Sequence, residues 1–387
     1  MKDGRRFDVA VVGCGPSGAT AAAAVAAGGA SVVVLERRQV SEEKPCAGGI
    51  VRRALKYLPR GVLDSCVEDQ ARSIRLSCRS EDAFERRVRR PLFYTVQRAA
   101  FDSALATRAE QAGAKIIRGV TIVEVDVNDG SVVLTGDDVR VEADILIGAD
   151  GVTSLVARRC GLCITQPARQ DPALVIEVTP PDIGSLRARA AIDWDSPIGG
   201  YAWAFPKATH VTIGSVAPQG TSRAELRRAA IQHFEHYAGQ QFQACQVLSE
   251  RVAMVPVPDL DMKRSSERVM LVGDAAGLVD PFTREGITWA LWSGKLAARA
   301  ALAFLEKTTP LENYENLLRK YLLPELRAAS KIAKWFFADP AQRHRRLRSE
   351  RLVWAAFCSL IAGRLSNRRL CRLVPGISSA SLCGVSS

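Results

Sequence analysis

Residues 8–36 constrain the fold more than any other stretch. An apolar strand (9–12) runs into Gly13-Cys14-Gly15-Pro16-Ser17-Gly18, then an alanine-rich run, then a second apolar strand (32–35) ending in Glu36. Glycines at these offsets let the backbone turn tightly, approach a pyrophosphate and pack the next helix closely on the sheet. The helix N-terminus then offers its N–H groups and positive dipole end to negative charge. Glu36 follows at the spacing where a carboxylate accepts ribose hydroxyls. Strand, turn, helix and acid in this order predict a β-α-β dinucleotide-binding unit, and with it an α/β fold built on a Rossmann-like domain.

The chain of 387 residues has room for more than that unit. It is 47% hydrophobic with mean hydropathy near zero, enough for a large core. Only a few residues precede the first strand, which leaves no space for a secretory leader. No apolar run reaches the ~18 residues of a membrane span. The ten cysteines are scattered, which suits reduced thiols rather than a disulfide frame. The expectation is a cytoplasmic protein.

A turn-rich loop, Lys44-Pro45-Cys46-Ala47-Gly48-Gly49, follows the first unit. The pattern predicts a helix over 97–112, then short strands at 116–125, 131–135, 139–141 and 145–147. The last of these ends in Asp150-Gly151. Mixed strand and helix fills 171–256. A buried strand at 268–272 leads into Gly273-Asp274, and a helix covers 286–304. Four distant segments thus carry ligand chemistry at strand or helix ends: the glycine turn with Glu36, Arg98, Asp150-Gly151, and Gly273-Asp274 with Gly286-Ile287. Strand ends are where open α/β sheets bind ligands.

This set resembles glutathione-reductase-type flavoproteins of the p-hydroxybenzoate hydroxylase branch. Two further segments are similar to motifs of the geranylgeranyl reductase family: the K-P-C-x-G-G loop at 44–49, and Y-x-W-x-F-P at Tyr201-Ala202-Trp203-Ala204-Phe205-Pro206. The segment 273–287 likewise resembles that family's G-D-A-A-G…P…E-G-I. The resemblance spans about residues 6–305 and implies FAD as cofactor. It implies that Gly13, Gly15 and Gly18 line the pyrophosphate with Ser17 close by, and that Glu36, beside Arg37, holds the adenosine ribose. Arg98 would contact the phosphates or ribityl chain. Asp150 and Gly151 would lie near the pyrophosphate, Gly273 and Asp274 by the ribityl side, and Gly286 and Ile287 would offer amides to the ring. Cys46, Ala47, Gly48 and Gly49 would border the flavin, with Cys46 the candidate catalytic thiol. Tyr201, Trp203 and Phe205 share one strand face and would wall a prenyl chain. Two departures stand out. Gly214-Ser215-Val216 replaces a usual G-x-G, and Arg284 stands where glycine is common.

The implied organisation is a discontinuous FAD-binding domain (6–50, 95–170, 262–305), an inserted β-sheet substrate domain (51–94, 171–261) and a helical basic region (306–387). The implied reaction is saturation of carbon–carbon double bonds in a polyprenyl chain. No second complete G-x-G-x-x-G is visible, so the electron donor is either NAD(P)H bound transiently or a ferredoxin. Two other readings fit the same motifs. One is a flavin monooxygenase or halogenase acting on an aromatic or quinone; the other is a non-enzymatic prenyl-binding escort.

Some features have blander readings. Cys160 and Cys163 form a lone C-x-x-C without a second pair, and His233 and His236 lie on a helix face expected to be solvated; no metal site is expected. Of the net +12, most sits at 331–372, where eleven Lys and Arg face only Asp339 and Glu350. The apolar run 352–362 inside this segment is either an interfacial helix on an anionic membrane at the cell's inner face or a helix packed on the body. No nucleic-acid recognition fold accompanies the charge.

Overall fold

The computed structural model describes residues 6–39, 44–162, 169–374 and 376–377. Three sheets organise it. The first has four parallel strands at its centre, in the spatial order Lys115–Arg118, Val32–Glu36, Arg6–Val12, Val139–Gly148. The hairpin strands Val132–Gly136 and Ile122–Val127 extend it antiparallel. Continuous valine, leucine and isoleucine runs make these central strands, as a sheet covered on both faces requires.

The region 139–147, expected as two strands, is one. The first half of Val139–Gly148 pairs with Val132–Gly136, and its second half pairs in parallel with Val269–Leu271. Both partners share one edge, so Glu142 and Asp144 stay within a strand and bind Arg6. The stretch expected as one strand at 116–125 is instead two, broken at Gly119 in the left-handed region.

The helix Pro16–Ala27 packs on the long helix Ile287–Leu305. Gly294 permits the approach, since a Cβ there would lie 2.5 Å from the Ser17 carbonyl oxygen. Alanine on the facing helix serves the same end.

The second sheet has the order Gln246–Pro256, Gln170–Thr179, Val211–Val216, Tyr201–Pro206, Arg189–Trp194, Ser73–Cys78, Glu81–Arg87. Its inner strands alternate between two buried faces, while the outer strands Gln246–Pro256 and Glu81–Arg87 are largely exposed. Leu174, Ile176, Ala191, Ala204 and Ile213 form a core with Leu226, Phe234 and Tyr237, the last three from helix Arg223–Ala238. The other face carries Ala173, Val175, Ile192, Trp194, Trp203, Phe205 and Val216 and borders a cavity. His233 corrects the sequence expectation: it is 2% exposed, because its helix turns that side onto the sheet. His236, one turn on, is exposed. Among the described residues no group of three or more His, Cys, Asp or Glu could hold a metal. Cys163 lies outside the described residues.

A small third sheet, Gly49–Val51 with Phe93–Val96 and Val67–Ala71, joins the other two. Helices Leu323–Ala338, Pro340–Ser349, Arg351–Ile361 and Asn367–Leu373 close the chain. The apolar run at 352–362 takes the packed arrangement: Phe357, Leu360 and Ile361 are buried, and Trp354 lies against Phe84 under Arg86. Leu352 stays 85% exposed. No described helix is long and apolar enough to cross a membrane.

Candidate functional site

A single cavity of about 840 Å³ runs between the first two sheets. One end is polar and glycine-lined. Gly13 (φ +98°) and Gly18 are there for packing: a Cβ on either would overlap a backbone carbonyl, that of Ala149 or of Gly13. Gly15 caps helix Pro16–Ala27 with no side-chain cap, so the first N–H groups of that helix lack a side-chain partner. A Cβ on Gly15 would meet only the Lys44 ammonium, at 3.6 Å. Gly13, Gly15 and Ser17 line the cavity; Gly18 does not.

Glu36 and Arg37 line the same end. The Glu36 carboxylate accepts from the Cys14 N–H (2.6 Å) and the Arg38 N–H (3.1 Å), which fixes it beside the turn. Burial, then Glu36, push the Cys14 thiol up to about 12, so it stays protonated. Asp150 and Gly151 also line the cavity. Asp150 caps helix Leu155–Arg159, accepting from Leu155 N–H at 2.6 Å and Val156 N–H at 3.2 Å.

Asp274 is placed differently. It sits in the short turn Gly273–Ala276, where Gly273, Ala275 and Ala276 are buried and Asp274 alone is exposed, on the cavity wall. Desolvation by the surrounding protein raises its pKa, and Arg98 and Lys44 only partly offset this. Gly273 itself (φ +58°) does not line the cavity; a Cβ there would press on Ser17. Gly286 and Ile287, at the start of the long helix, do line it.

Arg98 opens helix Arg98–Gln111 and grips Asp102, one turn on, through Nε and a terminal nitrogen, both at 3.0 Å. Lys44 Nζ reaches the same carboxylate at 3.1 Å. Burial would raise the Asp102 pKa, but Arg98 and Lys44 outweigh it and hold the carboxyl below its usual range. Within this cluster two cations meet one anion, and both cations line the cavity. Lys44 opens the K-P-C-x-G-G loop but carries no assigned role in the sequence, and Asp102 stands in no motif. The i, i+4 spacing of Arg98 and Asp102 was the available signal.

Cys46, Ala47 and Gly49 line the middle of the cavity; Gly48 (φ +67°) is turned under Val96. The Cys46 sulfur accepts from the Gly48 N–H at 3.4 Å and lies against Arg98. A Cβ on Gly49 would sit 2.8 Å from the Phe205 ring, so this glycine makes room for an aromatic wall. Gly214, opposite Trp203 on the next strand, does the same for the indole.

The other end is apolar. Tyr201, Trp203 and Phe205 line it together, and the Tyr201 hydroxyl donates to the Thr283 carbonyl. Trp194 stacks on Phe282 (5.6 Å) and meets Phe336 edge-on (5.1 Å). Phe357 and Ile361 from the C-terminal helices, and residues 252–256 of the outermost strand, complete the wall. Neither of these last two groups carries a motif that marks it as part of the site.

The polar end fits FAD on this structure's own terms: an uncapped helix N-terminus, a glycine facing open space, the Lys44 and Arg98 cations, and the Asp274 carboxylate on the cavity wall. Comparison with known proteins agrees. Residues 6–292 match the family model described as an FAD binding domain. The chain is 29% identical to digeranylgeranylglycerophospholipid reductase of Methanosarcina mazei, over 78% of this chain and 76% of that one. It is 31% identical to digeranylgeranylglycerophospholipid reductase 1 of Methanopyrus kandleri, over 81% and 84%. In fold it matches the crystal structure of a geranylgeranyl bacteriochlorophyll reductase-like protein from Thermoplasma acidophilum, with a TM-score of 0.80 at 23% identity, covering 97% of this chain and 98% of that one. The chain belongs to the geranylgeranyl reductase family of FAD-dependent oxidoreductases.

Proposed function

We propose that the protein saturates carbon–carbon double bonds in a polyprenyl, geranylgeranyl-type chain. The observation that carries this is the continuity of one cavity, from a cationic glycine-lined end to an aromatic apolar end. The frame is a nucleotide half (6–50, 95–170, 262–305) and a substrate half (51–94, 171–261), supported by the division of strands between the two large sheets.

The flavin, when bound, supplies hydride chemistry. Gly13, Gly15 and the N-terminus of helix Pro16–Ala27 receive its pyrophosphate, with Lys44 and Arg98 balancing the charge. Glu36 takes the adenosine ribose and Asp274 the ribityl chain. Tyr201, Trp203 and Phe205 hold the alkene and exclude water. Saturation adds a hydride to one carbon and a proton to the other. The Cys46 thiol, at the junction of the two ends, is the proton donor.

Electrons come from a donor that binds transiently, NAD(P)H or a ferredoxin. The substrate is an apolar chain carried in a membrane. Exposed Leu352 and Leu373 among the arginines of 331–373 support contact with anionic lipid.

Mass spectrometry of lipids from cells with and without the protein tests the reading. The expected result is a gain of one hydrogen molecule per saturated bond. NADPH-linked oxygen uptake that rises with an aromatic substrate would replace this reading with the monooxygenase one. Colourless protein that takes up no FAD would favour the escort.

A further inference from the structure

We infer that Arg284 plugs the apolar arm of the cavity and sets the length of chain the protein accepts; this rests on the prenyl reading above. Arg284 has φ +49°, in the left-handed region that glycine enters freely and a residue with a Cβ enters at a cost. A long side chain kept at such a position is held there by its contacts.

An ion pair, a backbone carbonyl and an aromatic ring hold the guanidinium. Nε and one terminal nitrogen reach Asp171 Oδ2 at 3.2 and 3.1 Å. The same terminal nitrogen donates to the Gly199 carbonyl at 3.1 Å, and the guanidinium lies 5.7 Å over the Phe337 ring. The remaining terminal nitrogen is enclosed without a hydrogen-bond partner. The Arg284 and Asp171 side chains are 11% and 10% exposed. A largely buried ion pair costs desolvation that an apolar contact would not.

The position of the side chain explains what it does. Arg284 lines the cavity beside Thr283 and Tyr201. Asp171, Gly199 and Phe337, on its far side, do not line it. Beyond them the loop residue Ile198 is 79% exposed. The arginine is therefore the partition between the apolar arm and the outside. Glycine at this place would remove the partition and leave a path toward Gly199 and Phe337. A hydrocarbon chain that reaches Arg284 stops there.

The test uses the FAD-loaded full-length protein and displacement of a bound fluorescent apolar dye. The competitors are geraniol, farnesol, geranylgeraniol and the next longer homologue, with a parallel ladder of straight-chain n-alkanols. Wild-type affinity rises with length and then levels. In Arg284→Gly the rise continues past that break, by roughly tenfold or more per added isoprene unit. Arg284→Met loses the same ion pair and leaves Asp171 equally unpaired, but fills the space, and keeps the wild-type break. A break that stays put in Arg284→Gly, or moves equally in both variants, overturns the plug. If wild type shows the break with n-alkanols but binds no prenyl alcohol, the plug stands and the prenyl reading falls. If neither ladder binds, both fall.

Discussion

The two ends of the cavity are made in different ways. The glycine end is backbone and charge: a helix N-terminus, tight turns at Gly13 and Gly15, and the Arg98–Asp102–Lys44 cluster. The apolar end is side chain: Trp194, Trp203 and Phe205 from one sheet, and Phe357 and Ile361 from near the C-terminus. The first end would recognise a ligand by fixed dipoles and so tolerate little change. The second would recognise by shape and area, and its elements can vary while the wall persists. The separation implies that each end can be damaged without the other.

Breaking the polar end gives the largest effect. Asp102→Ala leaves Arg98 and Lys44 without their shared carboxylate and costs about 3–5 kcal/mol. Flavin content per protein, read from the visible spectrum, falls sharply, and added FAD does not restore it. Trp203→Ala is the complementary break. Truncating a buried indole costs about 3–5 kcal/mol of stability or less where the wall relaxes, yet the flavin stays bound while prenyl affinity falls. A Trp203→Ala protein that loses flavin as readily as Asp102→Ala does would show that the ends are not separable.

Acid acts on the two sheets at different pH. Burial depresses the pKa of His233 and of His344 to about 4 in each case. Above the unfolded value of ~6.5 both states are neutral and nothing changes. Between about 6.5 and 4 the unfolded chain binds protons that the folded one refuses, so stability falls as pH falls, by order 1–3 kcal/mol per histidine. Both histidines sit on helices packed against the second sheet. Asp102 acts in a lower window: its depressed pKa gives stability that is present above the usual carboxylate value and lost only as pH falls through the folded one. Melting followed from pH 7 to 4.5 should show the transition moving down before flavin is released. His344→Gln should flatten part of that slope.

The smallest effect is expected at the surface. Leu352→Ser, at an exposed site, changes melting by no more than about 0.5 kcal/mol. Flotation with anionic vesicles then reads membrane contact alone: reduced binding supports the lipid role of the basic region, and unchanged binding removes it.

The glycine end was legible because its signals are local. Glycine spacing, an acid at the end of the second strand and Asp274 after an apolar strand each sit within a few residues of the backbone they serve. Even so, the roles divide in ways that spacing hides. Gly18, Gly48 and Gly273 give packing room rather than cavity lining, and of the two aspartates on the cavity wall Asp150 also caps a helix. The apolar end was only partly legible. Alternation placed Tyr201, Trp203 and Phe205 on one face. Nothing in the apolar run at 352–362 says which surface Phe357 and Ile361 will cover, since that depends on how four helices fold back on the body. The outermost strand Gln246–Pro256 was hidden for a related reason: its exposed residues carry no clean apolar alternation. The burial of His233 is not visible in the sequence, because a helix of low amphipathicity does not announce which side meets the sheet.

One cavity brings a flavin and an apolar chain together, and titrating the yellow, oxidised protein with geranylgeraniol, without any reductant, tests this. The expected result is a saturable shift of the flavin absorption bands, with the same dissociation constant as that found by dye displacement. Saturable binding of the alcohol with no change in the flavin bands would place the chain elsewhere and contradict it.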